Sequence, residues 1–144
     1  MSPNELSQLI PIAKKLNSQS NEINDVITSL NNELASLNLG IEFWLDSDEA
    51  KNFQVGFARV STGTGAEWQL AYRTRNDARF ENAGEYQAAQ PLLKASRNLR
   101  IEGLALSREI LVNLKSEAET KLKHIERAKQ LVAELSSSRK AGAR

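Results

Sequence analysis

The residues best suited to chemistry in this sequence are six cations grouped near two tyrosines, Tyr72 and Tyr86. Guanidinium and ammonium groups bind phosphate, so a loop that folded back would make these cations one anion-binding or nucleic-acid-binding patch. The cations are Arg73, Arg75, Arg79, Lys94, Arg97 and Arg100. Four carboxylates lie among them between positions 77 and 102. The alternative interpretation is therefore a solvated surface of local ion pairs.

The other motifs do not indicate catalysis or metal binding. The stretch DSDE, with Asp46, Asp48 and Glu49, lacks the glycine and the later glutamate of a calcium loop, and is interpreted as an acidic turn. The stretch STGTGAE has no lysine and precedes a strand, which favours a hairpin loop over a phosphate cradle. His124 is the only histidine, and there is no cysteine. We therefore expect no enzyme, no catalytic or metal-binding residues and no cofactor.

Two long helices must position these residues, and the first is predicted over about residues 3–39. Ser2, Pro3 and Glu5 form a helix start with a capping box, and Gly40 is a stop signal. Apolar residues repeat every seven positions in two series offset by three, which is typical of a coiled coil. The series are Leu6, Ala13, Ser20, Ile27, Leu34 and Leu9, Leu16, Ile23, Leu30, Leu37. Pro11 predicts a kink or a separate short turn before the main helix.

The second helix is predicted over about residues 90–136, with Pro91 in its first turn and a flexible basic tail over 137–144. It carries two adjacent apolar stripes, and an antiparallel first helix is too short to cover both. We therefore expect a homodimer in which two helical hairpins form a four-helix bundle. The alternative is a monomer whose second helix packs under the sheet. Gly103 inside this helix predicts a close approach by another backbone or a tryptophan ring.

Between the helices, residues 41–74 change to a period of two, which predicts a three-stranded antiparallel meander. One face is apolar and must pack on the helices, because an uncovered sheet of this size is marginal. Its members are Ile41, Phe43, Leu45, Val55, Phe57, Trp68, Leu70 and Tyr72. On the other face Trp44 lies among Gly56, Ala58 and Ala71. That patch is either a tryptophan covering a strand glycine or a surface that binds a partner. Residues 75–90 are predicted to form an ordered loop.

Composition agrees with one α+β domain of 144 residues that buries a core. The net charge is +1, but residues 94–144 carry twelve Lys and Arg against six Asp and Glu, so the basic character lies in the C-terminal third. No signal peptide or membrane-spanning stretch is recognisable, and a soluble cytoplasmic protein is the simplest expectation.

Three functions remain open from the sequence. The first is a non-enzymatic, self-associating interaction or adaptor protein whose sheet contacts a partner through Trp44. The second is a nucleic-acid-binding or anion-binding protein that uses the region from Arg73 to Arg100. The third is a small-molecule binder or enzyme with a pocket around Trp68, Tyr72 and Tyr86.

Overall fold

The computed structural model describes residues 3–76 and 84–142 and confirms the α+β class. Helix α1 (Pro3–Leu37) leads into strands β1 (Phe43–Asp46), β2 (Phe53–Thr62), β3 (Gly65–Thr74) and β4 (Gln90–Pro91). A short 3-10 helix (Leu92–Lys94) and helix α2 (Arg97–Gly142) follow.

The sheet is antiparallel in the order β1-β2-β3-β4, so it has four strands where three were predicted. The fourth is only two residues long and pairs with Ala71 and Tyr72 of β3. Pro91 lies in this edge strand and not in the first turn of a helix, because a proline tolerates both positions. Helix α2 begins seven residues later than predicted, at Arg97. Gly63 and Thr64 connect β2 to β3, which confirms the hairpin loop.

The core lies between one face of the sheet and parts of both helices. The predicted apolar face is confirmed, since all eight of its residues belong to one cluster. Ile27 and Leu34 of α1 and Leu99, Ile110 and Leu114 of α2 complete this cluster from the helical side. The sequence alternation therefore identified the correct face of every strand in the meander.

The two helices run in the same direction where they meet, which corrects the predicted antiparallel hairpin. Arg97 donates a hydrogen bond to Asn17 over 2.9 Å, and Arg100 donates one to Asn24. The contacts advance along both helices together, whereas an antiparallel pair would reverse their order. The physical reason is the path of the chain: α1 ends next to the start of β1, while the first turns of α2 contact the turn that follows β1.

Both helices extend beyond the core, at opposite ends of the sheet. Residues 4–19 of α1, here called the α1 arm, are all exposed. Residues 119–139 of α2, here called the α2 arm, are also all exposed. Helix α2 continues to Gly142, six residues beyond its predicted end at about residue 136. Helix α1 runs through Pro11, so no separate turn precedes the main helix.

Gly103 allows α2 to approach the sheet closely. A Cβ atom at this position would lie 2.7 Å from Leu92 Cδ2 and 3.0 Å from Val55 Cγ1. Both neighbours are fully buried. The close approach predicted at Gly103 is therefore present, but two aliphatic side chains make it, and not a backbone or a tryptophan ring.

Candidate functional site

The outer face of the sheet, opposite the helices, carries the patch predicted to bind a partner. Trp44 pairs with Gly56 across β1 and β2, and it packs against Ala58 and Ala71 together with Ala89. Ala58 and Ala71 are at most 1% exposed, and Gly56 is also buried. The chain itself thus covers the three small residues, and among the four only Trp44 keeps a half-buried side chain that a partner can reach.

Arg73 lies between two aromatic rings on this face. Its guanidinium carbon is 4.3 Å from the centroid of the Trp44 ring and 3.9 Å from that of Tyr86. Its Nε donates to Gln54 over 2.9 Å, and Glu42 Oε1 lies 3.8 Å from its Nη1. Partial burial lowers the pKa of Arg73, which the nearby Glu42 and Tyr86 oppose. The arrangement is a cation–π stack that holds the segment around Tyr86 against the sheet.

The predicted anion-binding arginines are not assembled into one patch. Arg73 lies on the outer face, and the guanidinium carbon of Arg75 is 6.0 Å from the Tyr86 ring centroid. Arg97 and Arg100 instead bond α1 on the helical side of the sheet. Arg79 lies outside the described residues. The sheet therefore separates Arg73 and Arg75 from Arg97 and Arg100. All four residues lie near the segment 75–90 in the sequence, but they do not share a surface.

The acidic turn of residues 46–49 is held by a carboxylate from α2. Ser47 Oγ donates to Glu102 Oε1, and the amides of Asp48 and Glu49 donate to Glu102 Oε2 over 2.9 and 3.0 Å. The turn thus presents its amide donors to an anion within the chain, which a cation site would not do. Across residues 3–76 and 84–142, no three His, Asp or Glu side chains converge as metal ligands.

A groove with polar and apolar walls runs between α1 and β3, with a volume of about 440 Å³. It is lined by Thr28, Asn31, Asn32, Ala35, Glu67, Trp68 and Gln69. Asn31 Oδ1 accepts a hydrogen bond from the amide of Leu70 over 2.8 Å. The pocket predicted around Trp68, Tyr72 and Tyr86 does not form as such, because Tyr86 stacks on Arg73 on the opposite face of the sheet. No sequence pattern had indicated that asparagines would line this groove.

Most of the exposed large apolar side chains of the described residues lie on the two arms. Their exposed apolar residues include members of the apolar stripes predicted from the sequence, together with neighbouring residues. On the α1 arm they are Leu6, Leu9, Ile10, Ile12 and Leu16, and on the α2 arm Leu122, Ile125, Leu131, Val132 and Leu135. Each of these side chains is between 45% and 66% exposed. Within the described residues, neither helix contains an apolar stretch that would cross a membrane.

Both arms mix charges with these apolar residues. The α2 arm combines Glu119, Glu126 and Glu134 with several lysines and arginines. The only histidine of the sequence, His124, lies here and is exposed. The arms can therefore make packing and ion-pair contacts. A scan of protein-family models finds no match, and searches of curated proteins and of solved structures find no significant match.

Proposed function

We propose that this protein is a non-enzymatic interaction protein that self-associates through the α1 arm and the α2 arm. One observation carries the proposal: each helix continues the apolar stripe that packs in the core for four or more turns beyond the core. Exposed apolar surface of this extent is typical of a protein–protein contact surface. A second copy is the partner that the sequence predicts, because the first helix has heptad spacing and the second carries more apolar surface than one partner helix covers.

The energy available at the arms supports a stable contact. Complete burial of a large aliphatic side chain contributes about 1.5–3 kcal/mol, so a side chain that is half exposed still offers about 1 kcal/mol. Burial of the five such side chains on one arm of one copy would therefore contribute about 5 kcal/mol. Two copies that bury both of their arms gain about 20 kcal/mol, which exceeds the roughly 4–15 kcal/mol that association costs. The four-helix arrangement of such a dimer stays a prediction.

The sheet is the surface left for a different partner. Its outer face presents Trp44 and the Arg73 stack at the surface, with a rim of polar side chains. Aromatic and arginine side chains are the groups that most often dominate the binding energy of interfaces. Among the described residues, the arginines expected to bind nucleic acid do not converge, so no second function is proposed.

The test is the oligomeric state by sedimentation velocity from 1 to 100 µM. We expect wild-type protein to sediment above the 16.0 kDa monomer and to dissociate on dilution. Ile125→Glu with Val132→Glu should weaken association at least tenfold, because two charges would enter an apolar contact. Leu9→Glu with Leu16→Glu tests the α1 arm in the same way.

Matched controls change the charge equally on the opposite face of each helix. By helical periodicity these are Gln130→Glu with Ser137→Glu, and Asn4→Glu with Ser18→Glu. They should leave the association unchanged. A wild-type protein that is monomeric at 100 µM would overturn the proposal, and so would stripe variants that associate as strongly as their controls.

A further inference from the structure

A small pocket lies at the corner of the sheet where the turn between β1 and β2 meets the end of β3. Its volume is about 220 Å³. It is lined by Asp46, Ser47, Lys51, Asn52, Phe53, Gln54, Arg75 and Tyr86. Three parts of the chain therefore form its walls: the turn after β1 with the start of β2, the residue that follows β3, and the segment around Tyr86.

Backbone hydrogen bonds fix these walls to one another. The amide of Ser47 donates to the carbonyl of Phe53 over 3.0 Å, and the amide of Arg75 donates to the carbonyl of Asn52 over 2.7 Å. Arg75 also pairs with Tyr86 in an isolated antiparallel bridge. Asn52 has a φ of 67°, a left-handed conformation that asparagine adopts more readily than most residues. The pocket is thus built from ordered backbone, which lowers the entropy cost of binding a ligand there.

The pocket brings together hydrogen-bond donors that the protein itself does not use. They are the ammonium of Lys51, the guanidinium of Arg75, the hydroxyl of Tyr86 and the side-chain amide of Asn52. Within the part of the chain that the structure describes, none of these four groups donates a hydrogen bond or forms an ion pair. They are therefore available to a ligand that accepts hydrogen bonds.

The charges of the lining favour an anion. Lys51 and Arg75 are positively charged, and Asp46 is the one carboxylate among the described lining residues. Two cations against one carboxylate leave a net charge of +1. Gln54 Nε2 donates to Asp46 Oδ1 over 2.8 Å, so this carboxylate already has a donor of its own. The two cations are thus left to attract a negatively charged group from outside.

We propose that this pocket binds the oxyanion group of a small ligand, either a carboxylate or a phosphate. The planar guanidinium of Arg75 holds two oxygens of the group, and Lys51 adds the second positive charge. Tyr86 and Asn52 donate to the remaining lone pairs. Phe53 provides an apolar wall for the carbon atoms of the ligand.

The size of the pocket restricts the ligand. Pockets for drug-sized ligands measure about 300–1,000 Å³, so a pocket of about 220 Å³ suits an oxyanion with only a few further atoms. Among the described arginines that were expected to bind anions, Arg75 is the one that lines this pocket. The site is separate from both arms, so it does not depend on self-association.

The test is a titration of ¹⁵N-labelled full-length protein with sodium phosphate and, separately, with disodium succinate, at constant ionic strength set with sodium chloride. At least one of the two should shift the amide resonances of Lys51, Asn52, Arg75 and Tyr86 saturably, with a Kd below about 10 mM. The ligand that binds more tightly identifies the group as a phosphate or a carboxylate.

Variants show whether the shifts come from this pocket. Arg75→Gln and Lys51→Gln each remove one charge and should weaken binding at least fivefold. Both positions are exposed, so neither substitution should disturb the fold. The matched controls Arg59→Gln and Lys94→Gln remove an exposed charge outside the pocket and should change binding less than twofold. The proposal is overturned if neither ligand saturates the shifts by 50 mM, or if the pocket variants bind as tightly as the controls.

Discussion

The two halves of each helix share one apolar stripe, yet one half is buried and the other is not. In α1, Ile27 and Leu16 both belong to the predicted heptad series, but Ile27 is 0% exposed and Leu16 is 48% exposed. In α2, Leu114 is 1% exposed and Leu122 is 59% exposed. A ten-residue strand is about 33 Å long, whereas helices of 35 and 46 residues are about 52 and 69 Å long. Periodicity therefore determines which face of a helix is apolar, and the size of the sheet determines how much of it is buried.

The largest expected effect tests this comparison directly. Leu114→Ala should lower the free energy of unfolding by about 2–5 kcal/mol, because it leaves a cavity in the core. Leu122→Ala removes the same atoms from the α2 arm and should cost less than about 1 kcal/mol in dilute solution. Urea denaturation at 1 µM measures both. Equal losses would mean that the arm is packed as tightly as the core.

Substitution of Gly103 tests whether the buried half of α2 packs closely against the sheet. Gly103→Ala adds a methyl group that has no room beside Leu92 and Val55, and should destabilise the protein by about 1–3 kcal/mol. In an exposed helix the same change would instead stabilise by up to about 1 kcal/mol. The sign of the change in urea denaturation decides between the two. A stabilised variant would show that α2 does not pack closely here.

Glu102 tests whether the packed half of α2 also holds the sheet's first turn. Glu102→Gln removes the charge and leaves one acceptor oxygen for donors from Ser47, Asp48 and Glu49. The expected loss is about 1–2 kcal/mol in the free energy of unfolding, together with faster amide exchange at Asp48 and Glu49. Glu109→Gln, an exposed position further along α2, is the control. Unchanged exchange would remove the structural role of Glu102.

The smallest expected effect concerns the outer face of the sheet. Arg73→Lys keeps the charge but loses the planar group between Trp44 and Tyr86, and should cost about 0.5–1 kcal/mol. Tryptophan emission should shift as the Trp44 ring becomes more exposed. Arg59→Lys, at an exposed position of β2, controls for the exchange itself. An identical response of both variants would mean that the stack contributes nothing.

Much of the fold followed from periodicity, and the parts that did not follow have physical reasons. Alternation over residues 41–74 identified the inner face, because burial on one side imposes a period of two. β4 was not predicted, since two residues carry no periodicity. Pro91 gave the wrong start for α2, because its fixed φ suits both a helix start and an edge strand.

The surfaces were harder to predict than the core. The relative direction of the helices depends on how the chain crosses the end of the sheet, which no spacing encodes. Arg73 and Arg100 are only 27 positions apart in the sequence, but they lie on opposite sides of the sheet. The contact of Arg73 with Trp44 could have been predicted from the sequence, because both residues occur at outward positions of their strands.

The carboxylate that holds the turn after β1 comes from 53 to 55 residues further along the chain. During synthesis the first two strands leave the ribosome well before Glu102, at about 5–20 residues per second. For those seconds the amides of Asp48 and Glu49 have only water as a partner. The turn after β1 can therefore form its native hydrogen bonds only after the second helix has been synthesised. A nascent chain truncated before residue 102 should expose this turn to cleavage by proteases.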